Sequence, residues 1–260
     1  MENNIPRFIS ITGVKKSGKT TTIEYLVPLL KKMNLKIGTV KIAFKDVTVD
    51  VNEEHYDIER HRKVLPEKSL FKSKIETAFF INTQLSLREA LKEFSKGLDL
   101  ILIEGFPEDL EGIPQIALIK ELNQEKELVN DFTVAISSIP EFSIKSSHAK
   151  YVDFYDLVNV VQKSALPLFP KLNCLHCGYN DCNLLIKEII AGNKTVNDCE
   201  ILEQENARVI VKINDSILPC NNFVQDIFEK VISGLISSLK VEERDLNKAE
   251  IKIKFTNNRN

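Results

Sequence analysis

Eight consecutive residues constrain this chain more than any other stretch: Gly13-Val14-Lys15-Lys16-Ser17-Gly18-Lys19-Thr20. They form a complete G-x-x-x-x-G-K-[ST] phosphate-binding loop, a motif that carries meaning only between a strand and a helix. That context is present. A short apolar run (Phe8, Ile9, Ile11) precedes the loop, and Ile23, Leu26, Val27, Leu30 and Met33 recur at helical spacing after it. Backbone N–H groups of such a loop, reinforced by the partial positive charge of the helix N-terminus, cradle phosphate. Lys19 is expected to neutralise the β and γ phosphates, and the Thr20 hydroxyl to ligate Mg²⁺. Gly13, Lys15, Lys16, Ser17, Gly18 and Thr21 complete the expected cradle.

The remaining bounds agree with a nucleotide-binding chain. At 260 residues there is room for one α/β domain of about 150 residues and something smaller. A net charge of −2 gives no electrostatic reason to expect nucleic acid or an anionic membrane as partner. Met1 to Pro6 is polar, and no run approaches the roughly 18 apolar residues of a membrane span, so a cytoplasmic location is expected. Five cysteines in a reducing compartment point to a metal site rather than to disulfides.

Strand-like and helix-like segments alternate up to about residue 165: strands at Lys36–Ala43, Ile75–Ile81, Leu98–Ile103, Ile116–Ile119 and Phe132–Ile136, with helices at Ser86–Lys96 and Phe154–Gln162. This alternation predicts a doubly wound, mostly parallel α/β sheet. Pro28 is expected to kink or locally break the first helix. Pro167 and Pro170 interrupt the pattern and suggest a domain boundary. The expected organisation is a nucleotide domain over 1–165, a cysteine module over 171–203 and a small α+β domain over 204–260. The last comprises a strand Val209–Ile213, a helix Phe223–Leu239 and a strand Ile251–Phe255.

A phosphate loop needs acidic partners for Mg²⁺. The strand Leu98-Asp99-Leu100-Ile101-Leu102-Ile103 runs into Glu104-Gly105-Phe106, placing a carboxylate at a strand's carboxyl end, where open α/β sheets bind ligands. Glu104 is thus the candidate acid, and Gly105 would let the backbone pass close to the terminal phosphate. Asp46 and Asp50, after the second strand, are candidates for contacting Mg²⁺ or its water shell. Lys19, Glu104 and Asp50 are the residues expected to support hydrolysis. Arg60 or Arg62 could reach phosphate, although a solvated charged helix face explains them as well.

In order and spacing, Gly13 to Thr20, Gly38-Thr39-Val40-Lys41, Asp46, Asp50, Asp57, Arg60 to Arg62, Leu98 to Phe106 and Ile116-Ala117-Leu118 resemble the MobB family. These are GTP-binding accessory proteins of molybdopterin guanine dinucleotide synthesis, and the resemblance covers about the first 140 residues. It implies binding of GTP with Mg²⁺, weak GTP hydrolysis and a homodimer. It also implies partnership with the molybdopterin guanylyltransferase; a molybdenum or tungsten enzyme that receives the cofactor is a further expected partner. The chain departs from the family at Ile42, Phe44 and Lys45, where histidines are common, and it has no Asn-Lys-x-Asp guanine-reading element. GTP over ATP therefore rests on the resemblance.

Cys174, Cys177, Cys182 and Cys199 follow a C-x₂-C-x₄-C-x₁₆-C pattern, with a short apolar helix (Leu184, Leu185, Ile189, Ile190) between the last two. Gly178 and Gly192 supply backbone freedom at the loop and at the helix end. Four thiolates suit Zn²⁺ or an iron–sulfur cluster. Zinc knuckles usually repeat a C-x₂-C pair, and the split second pair disfavours zinc. The string Cys-Gly-Tyr-Asn-Asp-Cys, the apolar helix and the late cysteine resemble the small [4Fe–4S] domain of corrinoid iron–sulfur proteins. That resemblance implies a [4Fe–4S] cluster on the four cysteines, with His176 and Cys220 outside the ligand set. A competing reading is an ATP-dependent redox activator that passes electrons from the cluster to a corrinoid or metalloenzyme.

Overall fold

The computed structural model describes residues 5–43, 58, 62–64, 67–82, 85–106, 111–175, 177–204, 209, 211–213, 216–218 and 222–239. These fall into two compact units, Met1–Glu200 and Ile201–Asn260. The first is built on β1 (Arg7–Gly13), β2 (Ile37–Lys41), β5 (Leu100–Glu104), β6 (Gln115–Leu118) and β7 (Thr133–Ser137), all parallel in the order β2-β5-β1-β6-β7. All of β6 and the first four residues of β5 are buried, as strands covered on both faces must be.

The two covering layers follow from the alternation along β1. Ile9 and Ile11 face Leu26 and Leu30 of α1 (Lys19–Lys32) and Leu157 and Val161 of α3 (Leu157–Ser164). Phe8 faces the other way, toward Leu91 of α2 (Leu87–Phe94), Ile101 and Ile103. Each such buried leucine or isoleucine stabilises the fold by about 1.5–3 kcal/mol. Helices on both faces of a parallel sheet make this the doubly wound α/β class expected from the alternation. Helix α2 begins with a capping box, in which Ser86 and Glu89 satisfy each other's backbone N–H groups.

Three local expectations change. Helix α1 runs unbroken through Pro28. Pro28 and Glu24, whose carbonyl loses its helical donor, are both on the exposed side, where water replaces the bond, while Thr22, Leu26 and Leu30 anchor the buried stripe. The expected strand Ile75–Ile81 begins at Thr77 and lies outside the parallel sheet. It is β4 (Thr77–Ile81) of an antiparallel hairpin with β3 (Lys68–Lys72). Leu166–Pro167, the start of the proline-rich break, forms β8, which pairs antiparallel with Arg7 and Phe8 at the entrance of β1. A strand end tolerates a proline that a central position would not.

In the second unit, β9 (Val211–Ile213) and β10 (Ser216–Leu218) form an antiparallel pair, followed by α5 (Asn222–Ser237). The expected strand Ile251–Phe255 lies outside the described residues. Among the described residues no helix is long and apolar enough to cross a membrane.

Candidate nucleotide site and cysteine module

The carboxyl ends of β1, β2 and β5 meet in register, Ile11 beside Glu104 and Glu104 beside Lys41. The phosphate loop leaves β1 at this edge, and both its glycines are demanded by space. A Cβ on Gly13 (φ +148°) would stand 2.4 Å from Ser17 Oγ and 2.5 Å from the Leu118 carbonyl oxygen. On Gly18 (φ +89°) it would stand 2.4 Å from Ile139 Cγ2. The turn between them is held by a bond from Ser17 N to the Val14 carbonyl at 3.2 Å. Lys15, Lys16 and Thr21 are exposed, whereas Ser17 is fully buried and its Oγ has no hydrogen-bond partner.

Lys19 curls back over the loop, donating from Nζ to the carbonyls of Gly13 (2.9 Å) and Val14 (2.7 Å). Burial holds its ammonium below the ordinary range; Glu104 pulls it back up, and Lys41 and Lys120 push it down. Thr20 Oγ1 donates to Glu104 Oε2 at 3.0 Å, and Lys41 Nζ pairs with Glu104 Oε1 at 2.8 Å. Gly105 adopts φ +116°. Its N–H donates to Ile11 O at 3.0 Å and its carbonyl accepts from Ser10 Oγ at 2.6 Å, so the chain after Glu104 is fastened to β1. A Cβ there would meet nothing closer than 3.5 Å, which makes backbone angle, rather than crowding by protein atoms, the reason for this glycine.

Lys19 and Lys41 thus flank one carboxylate at a helix N-terminus, with Lys120 near Lys19. The loop fits a phosphate chain: the orphaned Ser17 hydroxyl, the displaceable carbonyl contacts of Lys19 and the uncompensated positive charge all suit an anion. Thr20 and Glu104 supply the oxygen donors a hard divalent cation takes. The structure brings Lys19, Thr20 and Glu104 together as expected, and adds Lys41 and Lys120, which were not among the predicted site residues. A lysine closing the strand next to Glu104 was the available signal for Lys41; for Lys120, nothing in the sequence pointed to the neighbourhood of Lys19. Asp46, Asp50, Asp57 and Arg60 lie outside the described residues. Arg62 stacks over the Phe80 ring at 4.4 Å.

The cysteine segment belongs to the same compact unit. Lys171, Asn173, Leu175 and Gly178 all have positive φ, and the Gly178 N–H donates to the Leu175 carbonyl at 2.9 Å. The Cys182 N–H donates to Asn173 Oδ1 at 3.0 Å, tying that loop to the start of α4 (Cys182–Ile190). Asp181 caps α4 by accepting from Asn183 N. Gly192 (φ +82°) ends the helix, and a Thr195–Asp198 capping box with a 2.9 Å Lys194–Asp198 ion pair shapes the turn into Cys199. Cys182 and Cys199 are buried, and Cys174 and Cys177 half-buried. Among the described residues no three His, Cys, Asp or Glu side chains are gathered as an ion-binding group. The donor set itself, four thiols with a buried pair, has the chemistry of an iron–sulfur or zinc site. His176 and Cys220 lie outside the described residues.

Comparison with known proteins matches residues 8–139 to the family described as "Molybdopterin guanine dinucleotide synthesis protein B", and residues 169–201 to one described as "Putative Fe-S cluster". A protein of Methanocaldococcus jannaschii named "Putative molybdopterin-guanine dinucleotide biosynthesis adapter protein" is 30% identical over 251 residues, covering 95% of this chain and 98% of that one. The adapter protein of the same name, without the qualifier, from Haemophilus influenzae is 29% identical over 142 residues, covering 53% of this chain and 77% of that one. The crystal structure of Bacillus subtilis MobB superposes with a TM-score of 0.49 at 19% identity, covering 59% of this chain and 93% of that one. The family match spans the phosphate loop, Glu104 and the sheet that joins them, and takes in just over half of the chain, which belongs to the MobB family.

Proposed function

We propose that this protein is an adapter in molybdopterin guanine dinucleotide synthesis that binds GTP with Mg²⁺ at the phosphate loop and an iron–sulfur cluster at its four cysteines. The observation that carries the nucleotide half is the convergence of Lys19, Thr20, Glu104 and Lys41 at the carboxyl ends of β1, β2 and β5. Lys19 would turn from the loop carbonyls to the phosphates, and Thr20 and Glu104 would exchange their mutual bond for the cation. Lys41, left free by Glu104, would face the same charge. Guanine preference and the adapter role are taken from the family and from the names of the two relatives. Hydrolysis is slow in this reading, with Asp46 or Asp50 completing the cation's shell. The guanylyltransferase and a molybdenum or tungsten enzyme are the partners, and the working state is a homodimer.

Cys174, Cys177, Cys182 and Cys199 would hold a [4Fe–4S] cluster, which supplies one-electron chemistry or a redox-sensitive structural bond. The donor set and the family match over residues 169–201 support this half. The test is anaerobic purification followed by analysis of bound nucleotide, iron, sulfide and zinc. A brown protein with about four irons and four sulfides, binding GTP in preference to ATP, is the expected result. One zinc per chain would overturn the cluster, and equal affinity for ATP would overturn the guanine assignment. Glu104→Gln is expected to spare GTP binding and slow hydrolysis at least about tenfold, because it removes charge at the cation without changing shape. Unaltered turnover would move that role to Asp46 or Asp50.

A further inference from the structure

Helix α4 reaches beyond the cysteine it starts with. Asn183, the residue after Cys182, donates from Nδ2 to Glu111 Oε2 at 2.8 Å. One turn later, Ile186 is buried against Gly112 so closely that a Cβ at Gly112 (φ +93°) would stand 2.6 Å from Ile186 Cδ1. The next residue, Lys187, pairs with Asp131 at 2.6 Å and lies 5.7 Å from the centre of the Phe132 ring. These contacts seat one face of α4 on the segment that enters β6 and on the segment that enters β7.

The first of those segments leads into the nucleotide site. Ile113, next to Gly112, is buried in one apolar cluster with Ile101 and Ile103 of β5, the strand that ends in Glu104. The Pro114 carbonyl accepts from Ser10 N at 2.8 Å, and Ser10 in turn holds the Gly105 carbonyl. A displacement of the first turn of α4 is therefore passed through close-packed backbone and side chains to the residues on either side of Glu104. Close-packed interiors transmit such strain rather than absorb it.

We infer that the cysteine module and the nucleotide site are energetically coupled through the contact of α4 with Glu111 and Gly112. Ligation at Cys182 fixes the first turn of α4, and the Asn183–Glu111 bond carries that constraint to the segment behind Glu104. Metal loading then changes nucleotide affinity, and nucleotide changes metal affinity by the same factor. The inference rests on the proposed function, in that it takes both sites to be occupied in the working protein.

The experiment measures GTP affinity of the full chain by calorimetry, without air, before and after reconstitution with iron and sulfide. A difference of about fivefold or more between the two forms is expected. Asn183→Asp, which sets a carboxylate against Glu111, should shrink that difference to within about twofold while leaving iron content and the affinity of the metal-free form unchanged. Combining it with Glu111→Lys re-creates an attractive pair and should restore the difference, which a merely structural role for Asn183 would not predict. Equal affinities in the two wild-type forms would overturn the coupling. A difference that persists in Asn183→Asp would overturn its route through α4. A chain that takes up no iron or binds no GTP would overturn the proposed function and the coupling with it, an outcome distinct from two sites that fill independently.

Discussion

The nucleotide site and the cysteine module are built in opposite ways. The first is assembled from residues far apart in the chain, since Lys19, Lys41 and Glu104 meet only because β1, β2 and β5 are parallel neighbours in a fixed register. Its supports are a sheet buried on both faces and glycines whose Cβ positions are already filled by other atoms. The cysteine-bearing turns of the second are local: they are shaped by positive-φ residues, an Asn173–Cys182 bond and two helix caps within or adjacent to Cys174–Cys199. One face of α4, by contrast, rests on Glu111, Gly112 and Asp131. A site carried by a core is shaped before its ligand arrives. A site carried by a short loop draws much of its stability from the bonds to its ligand.

This contrast can be broken first at Lys19. Lys19→Ala should lower triphosphate affinity by at least about a hundredfold, close to 2.7 kcal/mol, with no loss of fold, because the ammonium rests on carbonyls that a phosphate can replace. Calorimetry decides it, and affinity within a few-fold of wild type would remove the phosphate-loop reading.

In the cysteine module, Cys182→Ser should remove the chromophore and most of the iron, and should lower the melting temperature of the metal-loaded protein more than that of the metal-free one. Cys220→Ser should do neither. If the loaded and metal-free forms lose the same stability, the module is held by its packing rather than by its ligand, and the distinction between the regions fails.

Gly13→Ala tests the pre-shaped side. With a Cβ 2.5 Å from the Leu118 carbonyl oxygen, the substitution should cost about 2–3 kcal/mol in urea unfolding whether or not nucleotide is present. Gly178→Ala, where a Cβ would meet nothing within 4 Å, should cost less, about 1 kcal/mol of left-handed strain. Equal costs would mean that the loop glycines serve backbone angle alone.

The smallest expected effect is the pH dependence from Lys19. Burial holds its folded-state value below the ordinary 10.5, so the unfolded chain binds the proton more tightly than the folded one. Stability of the ligand-free protein should then gain a contribution as pH rises toward 10.5, and Lys19→Met should lose it. Unfolding free energies of the two proteins at several pH values measure the difference; parallel curves would show that Lys19 is solvated like any surface lysine.

The phosphate loop, the acid at the end of a buried strand, the four-cysteine spacing and the α/β alternation were all legible in the residues, because each is a local pattern of polarity, glycine and spacing. Four things were not. The hairpin β3–β4 has a strand-like sequence, but nothing in Thr77–Ile81 says which sheet it joins. Pro28 reads as a helix breaker, yet the exposure of Glu24 and the burial of Leu26 and Leu30 keep α1 whole. Lys41 became a site residue only through its register with Glu104, and the seating of α4 on Gly112 has no signature in either segment. The amino-acid order by itself determined which groups can bind phosphate or metal, since that chemistry resides in single side chains and short loops. Only the tertiary structure decided which distant groups share a site, because strand order and packing are set by burial across the whole sheet.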